Sequence, residues 1–302
     1  MPTLARAGAL VGRDSEMAML ARLVAQVAAG QGSVVLIEGE PGIGKSALVR
    51  AALAGAAGAG CQLFWGAGDE LGQELPLLPL LEGLRVREHS ASPRRNTILR
   101  LLRGEVTADR GTDVTAALAE QLLALIAEQC AMWPTILVVD DLQWADQASI
   151  ALWGRLARSV RQVPLLLIGM MRPVPQRDDL LALRRTVSDA ERLHLTGLTE
   201  DAVSELMAHL AGGRPGGNLL RLAEGAAGNP LYLTELVAAL ARSARVTITG
   251  TGAAELTNGS TTPVPVPQAT WKRGTELPGR NSPRSTQLTT GRKRTPKPRT
   301  QR

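Results

Sequence analysis

The stretch SVVLIEGEPGIGKSALVRAAL, residues 33–53, decides the fold. It opens with an apolar run of the length of one buried strand, passes through GEPGIGKS, and continues into alanine, leucine and valine at helical spacing. The middle part matches G-x-x-x-x-G-K-[ST], and its flanks are the strand and the helix that this pattern requires. The reading is a phosphate-binding loop made of Gly39, Glu40, Pro41, Gly42, Ile43, Gly44, Lys45, Ser46 and Ala47. Glycines are needed because backbone N–H groups must approach phosphate oxygens closely, while the helix that follows turns its positive end toward the same anion. Lys45 is expected to reach the β- and γ-phosphates and Ser46 to place its hydroxyl on Mg²⁺. Lys45 is also the only lysine before Lys272 in a chain with many arginines. A compact ammonium stands where the broad arginine fork would not fit.

A phosphate loop of this kind needs an acidic partner at the end of another buried strand. TILVVDDLQWAD, residues 135–146, supplies it, and the two acidic residues are read as finishing a strand that neighbours the one before the loop. Asp140 is assigned to Mg²⁺, and Asp141 to the general base that polarises an attacking water. Without the loop, the same DD pair reads as a strand-ending turn. Asp146 is read as a helix N-cap rather than a metal ligand. Arg172 follows the next apolar run, LLLIGMM, and is either a sensor of the γ-phosphate or a surface or ion-pair residue. His89, His194 and His209 have no metal-ligand spacing and are read as surface or boundary residues. Trp133, Trp144 and Trp153 are read as core packing rather than a base-stacking platform.

Working outward, short apolar runs alternate with longer amphipathic ones, the pattern of a mostly parallel sheet covered by helices. Strands are expected at 33–38, 61–65, 135–140 and 165–170, and helices at 15–28, 45–57, 77–85, 114–129 and 147–160, with Asp14 and Asp146 as N-caps. The fold class is therefore α/β, a P-loop NTPase with a doubly wound, mostly parallel sheet over residues 8–195. After a short apolar segment at 192–195 only helical signals follow, at 199–210, 218–226 and 231–242, which predicts a small helical lid over residues 196–245. Residues 246–302 read as a Pro-, Thr- and Arg-rich tail without order, because seven prolines from Pro263 to Pro298 interrupt every element.

Charge and cysteine usage narrow the function classes. The chain of 302 residues carries +6, but residues 271–302 hold ten Lys or Arg against Glu276 alone, which leaves residues 1–270 at −3. The basic excess belongs to the tail, so binding to DNA through it is expected to be nonspecific. Cys61 and Cys130 fall in no ligand cluster and read as buried thiols of a reducing compartment. No apolar run reaches membrane-spanning length and the N-terminus lacks a signal-peptide core, so the expected location is cytoplasmic.

The combination of LVGRDSEMAML at 10–20, GEPGIGKSALV at 39–49, LVVDDLQWAD at 137–146, MMRP at 170–173 and GNPLYLTEL at 228–236 resembles a known family. It is similar to the signal-transducing, STAND-type AAA-like ATPase module of the large ATP-binding LuxR-type transcriptional regulators, over about residues 10–267. The resemblance implies that Gly12 and Arg13 lie near the base or ribose, and that Asn229 and Pro230 close over the nucleotide from the other side. The rival readings are a helix entry at Gly12 and Asp14, and a helix stop and restart at 228–230. Members of this family continue into helical repeats and a DNA-binding helix-turn-helix, whereas this chain changes to its basic tail, the pattern expected of a truncated or frame-shifted product.

The expectation that follows is an ATP- and Mg²⁺-binding, weakly hydrolysing regulatory switch, able to form a homo-oligomer through the ATPase domain, with no membrane contact. The rivals are an AAA-type motor or loader acting on nucleic acid or protein, and a DNA-associated protein working through its tail.

Overall fold

The computed structural model describes residues 10–257 apart from 89, 106–112, 175–176, 189–190 and 251. The expected disorder of the tail, the position of His89 and the frame-shift reading lie outside the described residues.

The four apolar runs form strands, and a fifth joins them: β1 (Ser33–Gly39), β2 (Gln62–Ala67), β3 (Thr135–Asp140), β4 (Leu165–Met171) and β5 (Arg192–Leu195). All pair in parallel, in the order β2-β3-β4-β1-β5. Alternation along each strand splits the core in two. Val34, Leu36, Leu137, Val139, Leu165 and Leu167 face one layer of helices, whereas Val35, Ile37, Ile136, Val138, Leu166 and Ile168 face the other. The three central strands β1, β3 and β4 are buried on both faces, which is why they read as continuous apolar runs.

On one face lie α1 (Asp14–Ala28) and α2 (Lys45–Ala52). On the other lie α3 (Leu78–Gly83), α4 (Pro93–Leu102), α5 (Val114–Met132), α6 (Gln147–Ser159) and α7 (Asp178–Thr186). Asp146 caps α6 as expected, its carboxylate accepting from the N–H and the hydroxyl of Ser149. Asp14 does not cap α1. The helix starts one residue earlier, with Arg13 at the capping position, so Asp14 acts only as a negative charge in the first turn. Helix α2 stops at Ala52, not at 57, where the run AGAAGAG gives way to successive turns. Two helices are new relative to the sequence reading. The Ser92-Pro93 pair starts α4, with Ser92 as its cap, and acidic Asp178 and Asp179 with basic Arg184 and Arg185 mark the ends of α7.

Helix α5 also corrects the search for apolar runs, since it is the one described helix long and apolar enough to cross a bilayer. Its apolarity is spread among alanines and glutamines. Leu118, Leu122, Leu125 and Ile126 pack in the core while Glu120 and Glu128 pair outward with Arg155 and Arg94, the arrangement of an amphipathic core helix.

Beyond β5 come α8 (Glu200–Ala211), α9 (Gly217–Glu224) and α10 (Pro230–Arg242), around Leu206, Met207, Leu219, Leu233, Leu236 and Leu240. Thr199 and Asn229 cap α8 and α10. The expectation of helices alone is incomplete here. β6 (Arg214–Pro215), β7 (Val246–Ile248) and β8 (Ala253–Leu256) form a three-stranded sheet in the order β6-β8-β7. Residues 246–248 and 253–256, assigned to the tail from sequence, are thus strands of this sheet. They were illegible because strands of two to four residues show too little alternation to register.

Candidate nucleotide site

The sheet order places β4 between β1 and β3, so the strand that carries the two aspartates does not adjoin the strand that feeds the loop. The first turn of α2, which follows the loop, spans this gap where Ser46 meets Asp140, at the C-terminal edge of the sheet where ligands of open α/β sheets bind. Gly42 and Gly44 make the bend of the loop possible with φ of +76° and +100°, a region that side chains rarely adopt.

Five hydrogen bonds shape the loop and hold it against its partners. Ser46 Oγ donates to Asp140 Oδ2 at 2.7 Å. Lys45 Nζ, 7% exposed, donates to the carbonyl oxygens of Gly39 at 2.8 Å and Glu40 at 3.2 Å. From the opposite side, Asn229 Nδ2 donates to the Pro41 carbonyl at 2.8 Å and the Leu231 N–H to the Gly42 carbonyl at 3.2 Å. A Cβ on Gly42 would sit 2.8 Å from Leu231 Cβ, so this glycine serves the approach of α10 as well as the turn.

These contacts border an open cavity of about 350 Å³. Of the residues named from sequence, Pro41, Gly42, Gly44, Lys45, Ser46, Ala47, Asp141, Arg172 and Pro230 line it. Leu231 and Thr234 line it too, and were not foreseen. Thr234 follows Pro230 by four residues and so shares its helical face. Gly39 and Glu40 contribute carbonyls to Lys45, and Ile43 is packed into the core under the loop. Asp140 lies just behind the cavity wall, joined to Ser46.

Gly12 and Arg13 do not line this cavity. The Arg13 guanidinium is spent on the Thr196 carbonyl at 2.6 Å, the Ile43 carbonyl at 3.4 Å and Glu16 at 3.0 Å, and the residue is 6% exposed. It ties the start of α1 to the loop and to the end of β5. The tryptophans also divide. Trp153 is core, Trp133 is half exposed at the end of α5, and the ring of Trp144 lies 5.9 Å from the Arg172 guanidinium rather than in the core. His194 and His209 are exposed, and both cysteines are buried, which pushes their thiols up.

Burial governs the charged groups at the cavity. Burial pushes the Lys45 ammonium below the ordinary lysine range, a shift opposed mainly by Asp141 and reinforced by Arg172. Burial likewise raises the Asp140 carboxyl, and the adjacent Asp141 charge adds to this against the hydrogen bond from Ser46. The Ser46 hydroxyl and the Asp140 carboxylate it bonds to are hard oxygen donors of the kind that Mg²⁺ takes from a protein, the rest coming from phosphate and water. Among the described residues no cluster of three acidic, His or Cys side chains offers an all-protein metal cage.

The turn after β3 is shaped by two residues that sequence reasoning missed, Gln143 within it and Arg177 from the segment before α7. Gln143, 1% exposed, donates from Nε2 to Asp141 Oδ1 at 2.6 Å and accepts the Arg172 N–H at 3.0 Å. Arg177 donates to the carbonyls of Gln143 and Ala145 and is paired with Asp179. No sequence pattern announces either, because each depends on a contact between segments about 30 residues apart.

Comparison with known proteins agrees with this geometry. Residues 9–168, just over half of the chain, match the family described as the AAA ATPase domain. The chain belongs to that family. This AAA ATPase domain is 28% identical over 219 residues to an uncharacterized protein of Rhizobium meliloti (strain 1021), a match that covers 62% of this chain and 21% of that protein. The chain thus spans about a fifth of that relative's length. Among solved structures it is similar to the Aeropyrum pernix Orc1 protein in complex with DNA, with a TM-score of 0.52, 16% identity, and coverage of 78% of this chain and 61% of that one. It is also similar to Cdc6p from Pyrobaculum aerophilum, with a TM-score of 0.54, 14% identity, and coverage of 81% and 64%. At these identities the likeness is one of fold, and the AAA ATPase domain seen here has the α/β architecture of P-loop ATPases.

Proposed function

We propose that this AAA ATPase domain is an ATP- and Mg²⁺-binding regulatory switch, related to the modules of LuxR-type transcriptional regulators, that turns over slowly. The observation that carries the reading is a single cavity walled by the phosphate loop, by Asp141 and Arg172 from the sheet, and by the first turns of α10 from the helical unit. A ligand there touches both parts of the chain, so its γ-phosphate is a differential contact able to set their relative position.

In this reading Ser46 and Asp140 hold Mg²⁺, Lys45 binds the β- and γ-phosphates, and Pro230 closes on the nucleotide. Asp141 accepts a proton from the attacking water and Arg172 meets the γ-phosphate. The metal supplies charge neutralisation between the phosphates. A second positive charge for hydrolysis is assigned to a neighbouring copy in a homo-oligomer. DNA contact in this reading comes either through a domain not on this chain or nonspecifically through the basic tail.

The test is calorimetry with magnesium nucleotides. Wild type is expected to bind ATP, Lys45→Ala to lose at least about 100-fold in affinity, and Asp141→Asn to bind within about threefold while releasing no phosphate. Wild-type protein that is folded and ignores nucleotide would sink the reading. Ring assembly with polymer-stimulated turnover would replace it with the motor or loader.

A further inference from the structure

The Gln143 side chain is an amide almost without solvent contact in the turn after β3. Such a group is costly to bury unless its bonds do something. Its donor is spent on one oxygen of Asp141 and its acceptor on the backbone N–H of Arg172, so one side chain joins the end of β3 to the end of β4. Asp141 itself sits at a φ of +49°, an uncommon conformation for a residue with a side chain. The Arg172 guanidinium stands 3.8 Å from the same Asp141 oxygen that the amide occupies, and 5.9 Å from the centre of the Trp144 ring.

The consequence is geometric. With Gln143 in place, Asp141 Oδ1 already has a donor, and the carboxylate and the guanidinium both remain on the cavity wall without closing into a tight pair. Without it, the carboxylate is free to turn onto Arg172, and each charge neutralises the other. A diphosphate has nothing at this end of the cavity to lose by that, whereas a triphosphate loses its γ-phosphate contact.

We propose that Gln143 is a positioning residue that holds Asp141 and Arg172 apart, and that it thereby sets the preference of the site for a nucleoside triphosphate over a diphosphate. The proposal rests on the nucleotide reading above and adds a residue to it.

The experiment measures, by calorimetry on the full chain, the dissociation constants of Mg·ATPγS and Mg·ADP for wild type, Gln143→Met and Gln143→Asn, with thermal unfolding of each. Gln143→Met removes both hydrogen bonds at similar volume. Gln143→Asn keeps the amide but is one methylene short of spanning both partners. In either variant that folds, the triphosphate is expected to weaken about tenfold and the diphosphate less than twofold, the size of one lost bond to a charged group. A merely structural residue would lower the melting temperature and weaken both nucleotides alike, and that result overturns the proposal. So does a triphosphate-to-diphosphate ratio within twofold of wild type. Wild-type protein that binds neither nucleotide sinks the nucleotide reading itself and this proposal with it, so the two failures are told apart by the wild-type arm.

Discussion

Two turns meet at the C-terminal edge of the sheet, and they keep their shapes by opposite means. The loop after β1 bends at Gly42 and Gly44, where positive φ costs nothing. The turn after β3 bends at Asp141, where positive φ is sterically unfavourable, and is held by Gln143 from within and by Arg177 on its carbonyls. The glycine loop is encoded by its own residues, whereas the aspartate turn is held by a Gln143 that is itself anchored on the Arg172 N–H after β4, and by Arg177 from the segment before α7. A conformation written locally survives in any context that supplies the strand and the helix. One anchored from outside is a place where a change elsewhere in the molecule is felt.

The largest effect is expected at the loop. Gly44→Val puts a branched side chain at a φ of +100° and should weaken Mg·ATP about 100-fold and also lower stability by about 2 kcal/mol in urea unfolding, from backbone strain alone, since the added Cβ meets only Pro230, at 4.0 Å. A dissociation constant within threefold of wild type would break the contrast at its local end.

The aspartate turn offers a graded test. Asp141→Val combines branching with loss of the acceptor for Gln143 and should cost about 2 kcal/mol in urea unfolding. Asp141→Asn tolerates the left-handed conformation and still accepts from Gln143, so it should stay within about 0.5 kcal/mol of wild type. Equal costs for the two would show that the backbone is not under the strain inferred here.

The smallest effect separates the two helix-entry aspartates. Asp146→Ala removes a cap that accepts two hydrogen bonds and should cost about 1 kcal/mol, whereas Asp14→Ala removes only a first-turn charge and should cost about 0.3 kcal/mol. If the order is reversed, α1 depends on Asp14 in a way its hydrogen bonds do not reveal.

Much of the fold was legible. The central strands β1, β3 and β4 are buried on both faces, so their apolar runs stand out, and the expected bounds differ by at most one residue. The phosphate loop was legible because its glycines, its lone lysine and its serine each answer a local demand. Helices α4 and α7 were passed over because their apolar content is low, although their caps and end charges were present. The sheet of β6, β7 and β8 left no signal, since strands this short are stabilised by pairing and not by their own pattern.

The residues alone thus determined that a loop for phosphate follows one buried strand and that two carboxylates end another, because a backbone conformation set by glycine and a strand buried on both faces are local properties. Only the tertiary structure decided that β4 lies between those strands, that Arg13 is a tether away from the cavity, and that Gln143 and Arg177 shape the turn at Asp141. Those facts depend on which strands become neighbours. Hydrogen bonds between residues 29 or more positions apart, such as Gln143 to Arg172 and Ser46 to Asp140, exist only after the sheet has ordered itself.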